Sequence, residues 1–154
     1  MRDIEFRAKD LNGDWVFGFY SPRIWFPAFE QTPNIKTFKG SDIEINIDTL
    51  GQYTGLKDKN RTKIYEGDIV KVLGMIGKVI SQCGSFGICF DDCVDYEKLD
   101  KFTQKRIGNN FSGVCCDNFI SLYGIWWNLN NLDDCLYEVE VIGNIYDNPK
   151  LLEK

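Results

Sequence analysis

Apolar and polar residues alternate along most of this chain with a period of two, a spacing that suits half-buried strands and not helices. Ile4, Phe6 and Ala8 alternate with Glu5, Arg7 and Lys9. Asn12-Gly13 follows, the strongest short-range hairpin signal, and Trp15, Phe17 and Phe19 then alternate again. Residues 3–20 are therefore expected to form a β-hairpin. Pro22, Pro27 and Pro33 cannot donate to a ladder, so 21–36 reads as loop or edge. Ile43, Ile45 and Ile47 alternate with Asp42, Glu44, Asn46 and Asp48 and predict another strand. Ile69, Val70, Val72 and Leu73 form a β-branched run, and Gly74-Met75-Ile76-Gly77 offers a turn before Val79 and Ile80. Phe86, Ile88 and Phe90 share one face of a further strand. Later strands are expected at Phe119–Tyr123, at Ile125–Trp127 and at Tyr137–Val141.

One segment breaks this period. Between Asp91 and Arg106 the acids Asp92, Asp95 and Glu97 come early and the bases Lys98, Lys101, Lys105 and Arg106 come late. That order complements a helix dipole and predicts a short helix ending at Gly108-Asn109-Asn110. Asn148-Pro149 predicts an N-cap and a brief C-terminal helix carrying Leu151 and Leu152. The sum is a mainly-β fold, a small barrel or rolled antiparallel sheet with an N-terminal hairpin and one or two short helices. No repeat or linker divides it. A single domain is expected over 1–154: a hairpin and loop region at 1–48, a core at about 49–147 and a tail at 148–154.

Composition removes several functions. The chain has no histidine, so mechanisms that need an imidazole are excluded. No apolar run approaches the roughly 20 residues of a membrane-spanning helix. The charged N-terminal residues lack the apolar stretch of a signal peptide, so a cytoplasmic location is expected and no membrane partner. Residues 1–77 hold 11 basic and 11 acidic side chains, whereas residues 78–154 hold 7 and 12. The net charge of -5 therefore lies in the second half, and a polyanion would meet the first.

The six cysteines are Cys83, Cys89, Cys93, Cys115, Cys116 and Cys135. Their spacing fits no zinc motif, and reduced, mostly buried thiols are expected. Lys57, Lys59, Arg61 and Lys63 occupy alternate positions beside Tyr53 and Tyr65. If extended, they would make a basic stripe able to hold single-stranded nucleic acid. Asp58-Lys59-Asn60 also reads as a turn, which would scatter that stripe. Asp58-x-Asn60-x-Thr62 opens like a calcium loop, but Lys63 and Ile69 stand where the loop needs Gly and Glu. Glu66 and Asp68 flank Gly67, and a tight turn explains them more simply than paired acid–base work. Trp15, Trp25, Trp126 and Trp127 could stack bases or sugars, though core or subunit interface is the simpler expectation. Adjacent Trp126 and Trp127 on a strand would face opposite sides. No catalytic residue, metal site or cofactor is expected.

Three blocks, in order, resemble a known family. They are Arg2-x-Ile4-x-Phe6-Arg7-Ala8; Gln52-Tyr53-Thr54-Gly55-Leu56-Lys57-Asp58-Lys59-Asn60 followed by Ile64-Tyr65-Glu66-Gly67-Asp68-Ile69-Val70; and Val141-Ile142-Gly143-Asn144-Ile145-Tyr146-Asp147-Asn148-Pro149-x-Leu151-Leu152. They are similar to the YopX family, small proteins of bacteriophages and prophages whose function is unknown. The resemblance implies a fold related to small SH3-like barrels and an origin in a bacterial cytoplasm, and it implies no activity. Within its blocks Tyr53, Gly55, Glu66, Gly67, Asp68, Gly143 and Asn144 are expected to be structural. The family usually carries Gly where Arg61 stands, and Asn60 is expected to supply the positive φ instead.

The expected function is therefore a non-catalytic binding module that contacts a host or phage protein, with self-association compatible with its aromatic content. The alternative is a nucleic-acid-binding accessory protein acting through Lys57, Lys59, Arg61, Lys63 and Tyr65. A carboxylate- or cysteine-dependent enzyme is the third.

Overall fold

A computed structural model of the chain describes residues 4–25, 30–82, 84–111, 115–116, 118–128 and 133–153. The chain divides into two compact units, Met1–Gly55 and Leu56–Lys154.

The first unit opens with the expected hairpin, β1 (Phe6–Lys9) and β2 (Trp15–Tyr20), paired antiparallel with Phe6 opposite Gly18 and Lys9 opposite Trp15. Its loop is wider than two residues. Asp10 closes it by accepting hydrogen bonds on one carboxylate oxygen from the N–H groups of Asn12 and Asp14, both at 2.9 Å. The proline-marked stretch is more ordered than expected. It contains β3 (Arg23–Trp25) and β4 (Glu30–Thr32), a separate antiparallel ribbon, and then β5 (Asn34–Thr37). Pro22 and Pro33 fall between these strands, where no ladder N–H is needed. β6 is shorter than the isoleucine pattern suggests, covering Asp42–Glu44, and the chain then turns through a 3-10 segment at Ile47–Thr49. The first residues of β7 (Gly51–Asp58) pair with β1, so the order is β7-β1-β2-β5-β6.

One face of this sheet carries a small core of Ala8, Ile35 and Ile45, packed by Phe6, Val16, Tyr20 and Leu50. On β2 the buried face is thus Val16, Gly18 and Tyr20, and the aromatic alternation Trp15-Phe17-Phe19 lies on the other face. Gly18 is required by close approach: a Cβ there would sit 2.1 Å from the Lys36 carbonyl oxygen on β5.

The second unit is built on a six-stranded antiparallel sheet ordered β12-β13-β11-β10-β9-β15. Its strands are β9 (Asp68–Val72), β10 (Met75–Gln82), β11 (Ser85–Cys89), β12 (Cys115–Cys116), β13 (Phe119–Ser121) and β15 (Val139–Asn144). β9 and β10 are joined by a two-residue turn at Leu73-Gly74, both with positive φ, two residues before the Gly74–Gly77 turn expected from sequence. Short β8 (Lys63–Tyr65) and β14 (Cys135–Leu136) both pair with β7, β14 in parallel at Cys135 opposite Lys57. Among the described residues no pairing joins β12 to β15. The mainly-β, antiparallel reading therefore holds as an open sheet, and closure into a barrel does not occur.

α1 spans Tyr96–Ile107. Asp95 caps it, accepting from the Lys98 N–H at 3.0 Å, and it stops at Gly108, where sequence placed the end. α2 spans Leu122–Asn128 and corrects the strand expected there. Ser121 caps it by accepting from the Gly124 N–H at 2.9 Å, and Leu122 and Ile125 share the buried side. At the C-terminus Pro149–Leu152 is a single 3-10 turn. Asn148 makes no side-chain cap there and accepts instead from the Asn144 N–H, at 3.3 Å. The core of this unit joins Val70, Val72, Val79 and Ile88 of the sheet to Leu99 of α1 and Leu122 and Ile125 of α2. Among the described residues no helix is long and apolar enough to cross a membrane.

Candidate functional site

The four cations singled out by their spacing lie on β7, the turn after it and the start of β8. They do not form an open stripe. Lys57 Nζ is 2.7 Å from Asp134, Lys59 Nζ is 2.8 Å from Glu140, and Arg61 is 3.8 Å from Asp133. The acids come from the second half of the sequence, which holds the excess negative charge. Lys63 opens β8 and is half-buried. Tyr65 and Tyr53 are buried, so neither ring is presented to solvent beside these cations.

The turn itself is organised by Asp58, which is fully buried. Its Oδ1 accepts from the N–H groups of Asn60 and Thr62, each at 2.8 Å, and its Oδ2 from the N–H of Val141 at 3.0 Å. The positive φ falls on Arg61, at 64°, and not on Asn60 as expected. The backbone path that glycine would supply is therefore kept, and an L-residue is placed in it at a cost of about 1 kcal/mol.

The remaining signature residues surround a second turn. Gly67 has φ 84°, which frees the chain to reverse between β8 and β9. Its N–H donates to Val79 O and its carbonyl accepts from Ile145 N–H, both at 2.9 Å. Asp68 is buried and accepts from the Tyr65 N–H at 2.7 Å, whereas Glu66 is half-buried on the turn. The two carboxylates thus occupy different settings. Gly143 and Asn144 end β15 beside Ile69 and Asp68, and Asn144 Oδ1 accepts from the N–H groups of Tyr146 and Asp147. Gly55 takes φ 86° within β7.

Sequence reasoning passed over the group facing Lys57 and Arg61. Ligand atoms of Asp133, Asp134 and Cys135 lie within 4.8 Å of one another. The hydrogen bond from Lys57 holds the Asp134 carboxyl below its ordinary range. The Tyr137 hydroxyl donates to Asp133 at 3.0 Å, which raises the phenol. Burial, then Asp133, push the Cys135 thiol up. Both carboxylates already have partners, Asp134 in Lys57 and Asp133 in Arg61 and the Tyr137 hydroxyl. Cys89, Cys93 and Cys135 carry free thiols. Cys83 lies outside the described residues, as do the side chains of Cys115, Cys116 and Trp25.

Two aromatic surfaces stand out. On α2, Tyr123 and Trp127 are each 62% exposed and lie one turn apart with ring centroids 6.4 Å apart and planes at 25°. Trp126 also stacks on Tyr123, at 5.9 Å, and its Nε1–H donates to Asp133 O at 2.7 Å. On the first unit, Phe17 and Phe19 point outward from β2, and Phe38 meets Phe19 edge-on at 5.5 Å. Trp15 lies under Arg7 and Lys9, whose charges are 4.7 and 5.5 Å from its ring centroid.

A family model described as YopX protein matches residues 23–153. No curated protein matches the chain. Among solved structures, protein EF1440 from Enterococcus faecalis is similar at 25% sequence identity, covering 99% of this chain and 100% of that one, with a TM-score of 0.49.

Proposed function

The chain belongs to the YopX family, and we propose that it is a non-catalytic module that acts by contacting a protein partner. The reading includes a phage or prophage origin and a site of action in the bacterial cytoplasm. The observation that carries it is the stacked pair Tyr123 and Trp127, 62% exposed on a helix whose other side is locked into the core. Large aromatic rings are costly to leave in water and are enriched where proteins meet. The ion pairs of Lys57, Lys59 and Arg61 weaken the alternative in which the 57–63 segment holds nucleic acid, because phosphate would have to displace Asp134, Glu140 and Asp133.

The test is affinity recovery of the tagged chain from bacterial lysate, with and without nuclease, beside a Tyr123→Ala/Trp127→Ala variant whose fold is checked by circular dichroism. The expected result is a protein recovered after nuclease treatment and lost with the variant. A partner retained by the variant, or recovery of nucleic acid alone, overturns this reading.

A further inference from the structure

The outward face of the first unit's sheet repeats one ring and one cation at each step along β2. In register, Trp15 lies opposite Lys9, Phe17 opposite Arg7, and Phe19 opposite Lys36. Directly opposed residues project from the same face of a sheet, so three rings and three cations share this side; Arg7 is buried over the Trp15 ring, Lys9 is half-buried and Lys36 is exposed. Phe17 is 42% exposed, Phe19 51% and Phe38 62%, and Lys36 is exposed beside them. We propose that this face binds single-stranded nucleic acid, its bases stacking on Phe17 and Phe19 while Lys9 and Lys36 meet the phosphates. This goes beyond the protein-binding reading and involves no residue of α2.

Three features select this occupant. Alternate residues on a strand stand about 7 Å apart, roughly twice the 3.4 Å rise between stacked nucleotides in a duplex strand. Rings at that spacing receive bases already separated from one another, which a single strand can offer and a duplex cannot. Phe19 with its opposed Lys36 sets an exposed ring and an exposed cation side by side, as a unit of one base and one phosphate requires. The local charge is also suitable. On the same face Asp42 is tied to Arg23 at 2.7 Å, Glu5 is buried, and Glu44 stands on the edge strand β6 beside Asn34. The net negative charge of the chain resides in residues 78–154.

The experiment is fluorescence anisotropy of a labelled twelve-residue oligothymidylate titrated with the full chain at low salt. Phe17→Ala/Phe19→Ala and Phe17→Leu/Phe19→Leu variants are titrated alongside. Leucine keeps the apolar area and removes the planar ring, so it separates stacking from general apolar contact. Binding is expected to saturate, to weaken about tenfold or more in both variants, and to fall with salt at a log–log slope near about −1.4, as about two phosphate contacts require. A duplex of equal length should compete poorly. Absence of binding, binding equal in wild type and variants, or retention of full affinity by the leucine variant overturns the proposal. So does a light-scattering mass that halves in the alanine variant, because the face would then be covered by a second copy.

Discussion

Asp58 and Val141 are 83 residues apart in sequence, yet the Asp58 carboxylate accepts the Val141 backbone N–H at 3.0 Å. The other oxygen of that carboxylate holds the N–H groups of Asn60 and Thr62. One buried side chain therefore fixes both the turn after β7 and the point on β15 next to its register shift between Val141 and Gly143.

Removing that carboxylate takes the side-chain acceptor from three N–H groups at once. Asp58→Ala is expected to lower the unfolding free energy by about 2–4 kcal/mol, within the range for loss of a buried charged acceptor. Asp58→Asn keeps one acceptor oxygen and should cost less. Urea denaturation followed by circular dichroism measures both. An alanine variant within about 0.5 kcal/mol of wild type would mean that water serves these donors equally well.

Arg61 sits at φ 64° with its guanidinium 3.8 Å from Asp133, an exposed pair. Such pairs contribute under about 1 kcal/mol, and a left-handed L-residue costs about as much or more. Arg61→Gly should therefore stabilise the chain by roughly 0.5–1 kcal/mol, whereas Arg61→Ala keeps the strain and loses the ion pair. A lower melting temperature for glycine than for alanine would contradict this.

The cysteines should divide by environment. Cys93 is exposed, whereas Cys135 is buried and its thiol is pushed up by burial and Asp133. Alkylation near neutral pH, mapped by mass spectrometry, should modify Cys93 in the folded chain on the order of tenfold faster than Cys135. Denaturant should equalise them. Because the folded state raises the Cys135 pKa, its contribution to stability is complete below the unfolded thiol's pKa and is lost as pH rises through the folded value. Equal labelling of the two in the native chain would show that Cys135 is open to reagent.

Acid should act on the pair Lys57–Asp134 with the opposite sign. The folded Asp134 carboxyl lies below its ordinary value because Lys57 bonds to it. Its contribution is present above the unfolded carboxyl's pKa and is lost as pH falls through the lower folded value. Asp134 is 43% exposed, so the effect is small, under about 1 kcal/mol. Asp134→Asn should flatten the acid side of a stability-versus-pH curve by that amount and leave the neutral region nearly level. A variant whose acid limb is unchanged would remove the pair from the account.

Local signals were legible in the sequence and distant ones were not. The first hairpin and α1 are written in adjacent residues: Asn12-Gly13 in one, Asp95 and Gly108 in the other. The run Leu122–Trp127 is apolar throughout, so a period of two and a period of 3.6 both fit it. The cap at Ser121 decides for the helix. On β2 the alternation identified a strand but not its buried face, because Val16 and Tyr20 are as apolar as the rings between them. The acids that meet Lys57, Lys59 and Arg61 lie more than 70 residues away, and no local pattern connects them. Closure of the sheet likewise depends on whether its outermost strands meet, which residues within a strand do not encode.

Gly18 shows how tightly the first unit depends on one missing side chain. A Cβ at this position would lie 2.1 Å from Lys36 O and 2.8 Å from Lys36 C, both backbone atoms that cannot rotate away. Relief requires β5 to move from β2, which breaks the pairing of Gly18 with Thr37 and shifts Ile35 in the small core. Gly18→Ala should therefore cost about 1–3 kcal/mol, the range for overpacking a filled interior. The adjacent exposed Phe17→Ala should stay within about 0.5 kcal/mol of wild type. Thermal unfolding of the two variants compares a backbone requirement with a surface ring one residue away. Equal melting temperatures would mean that β2 and β5 separate without loss, and that the register placing Phe19 opposite Lys36 is not held by this contact.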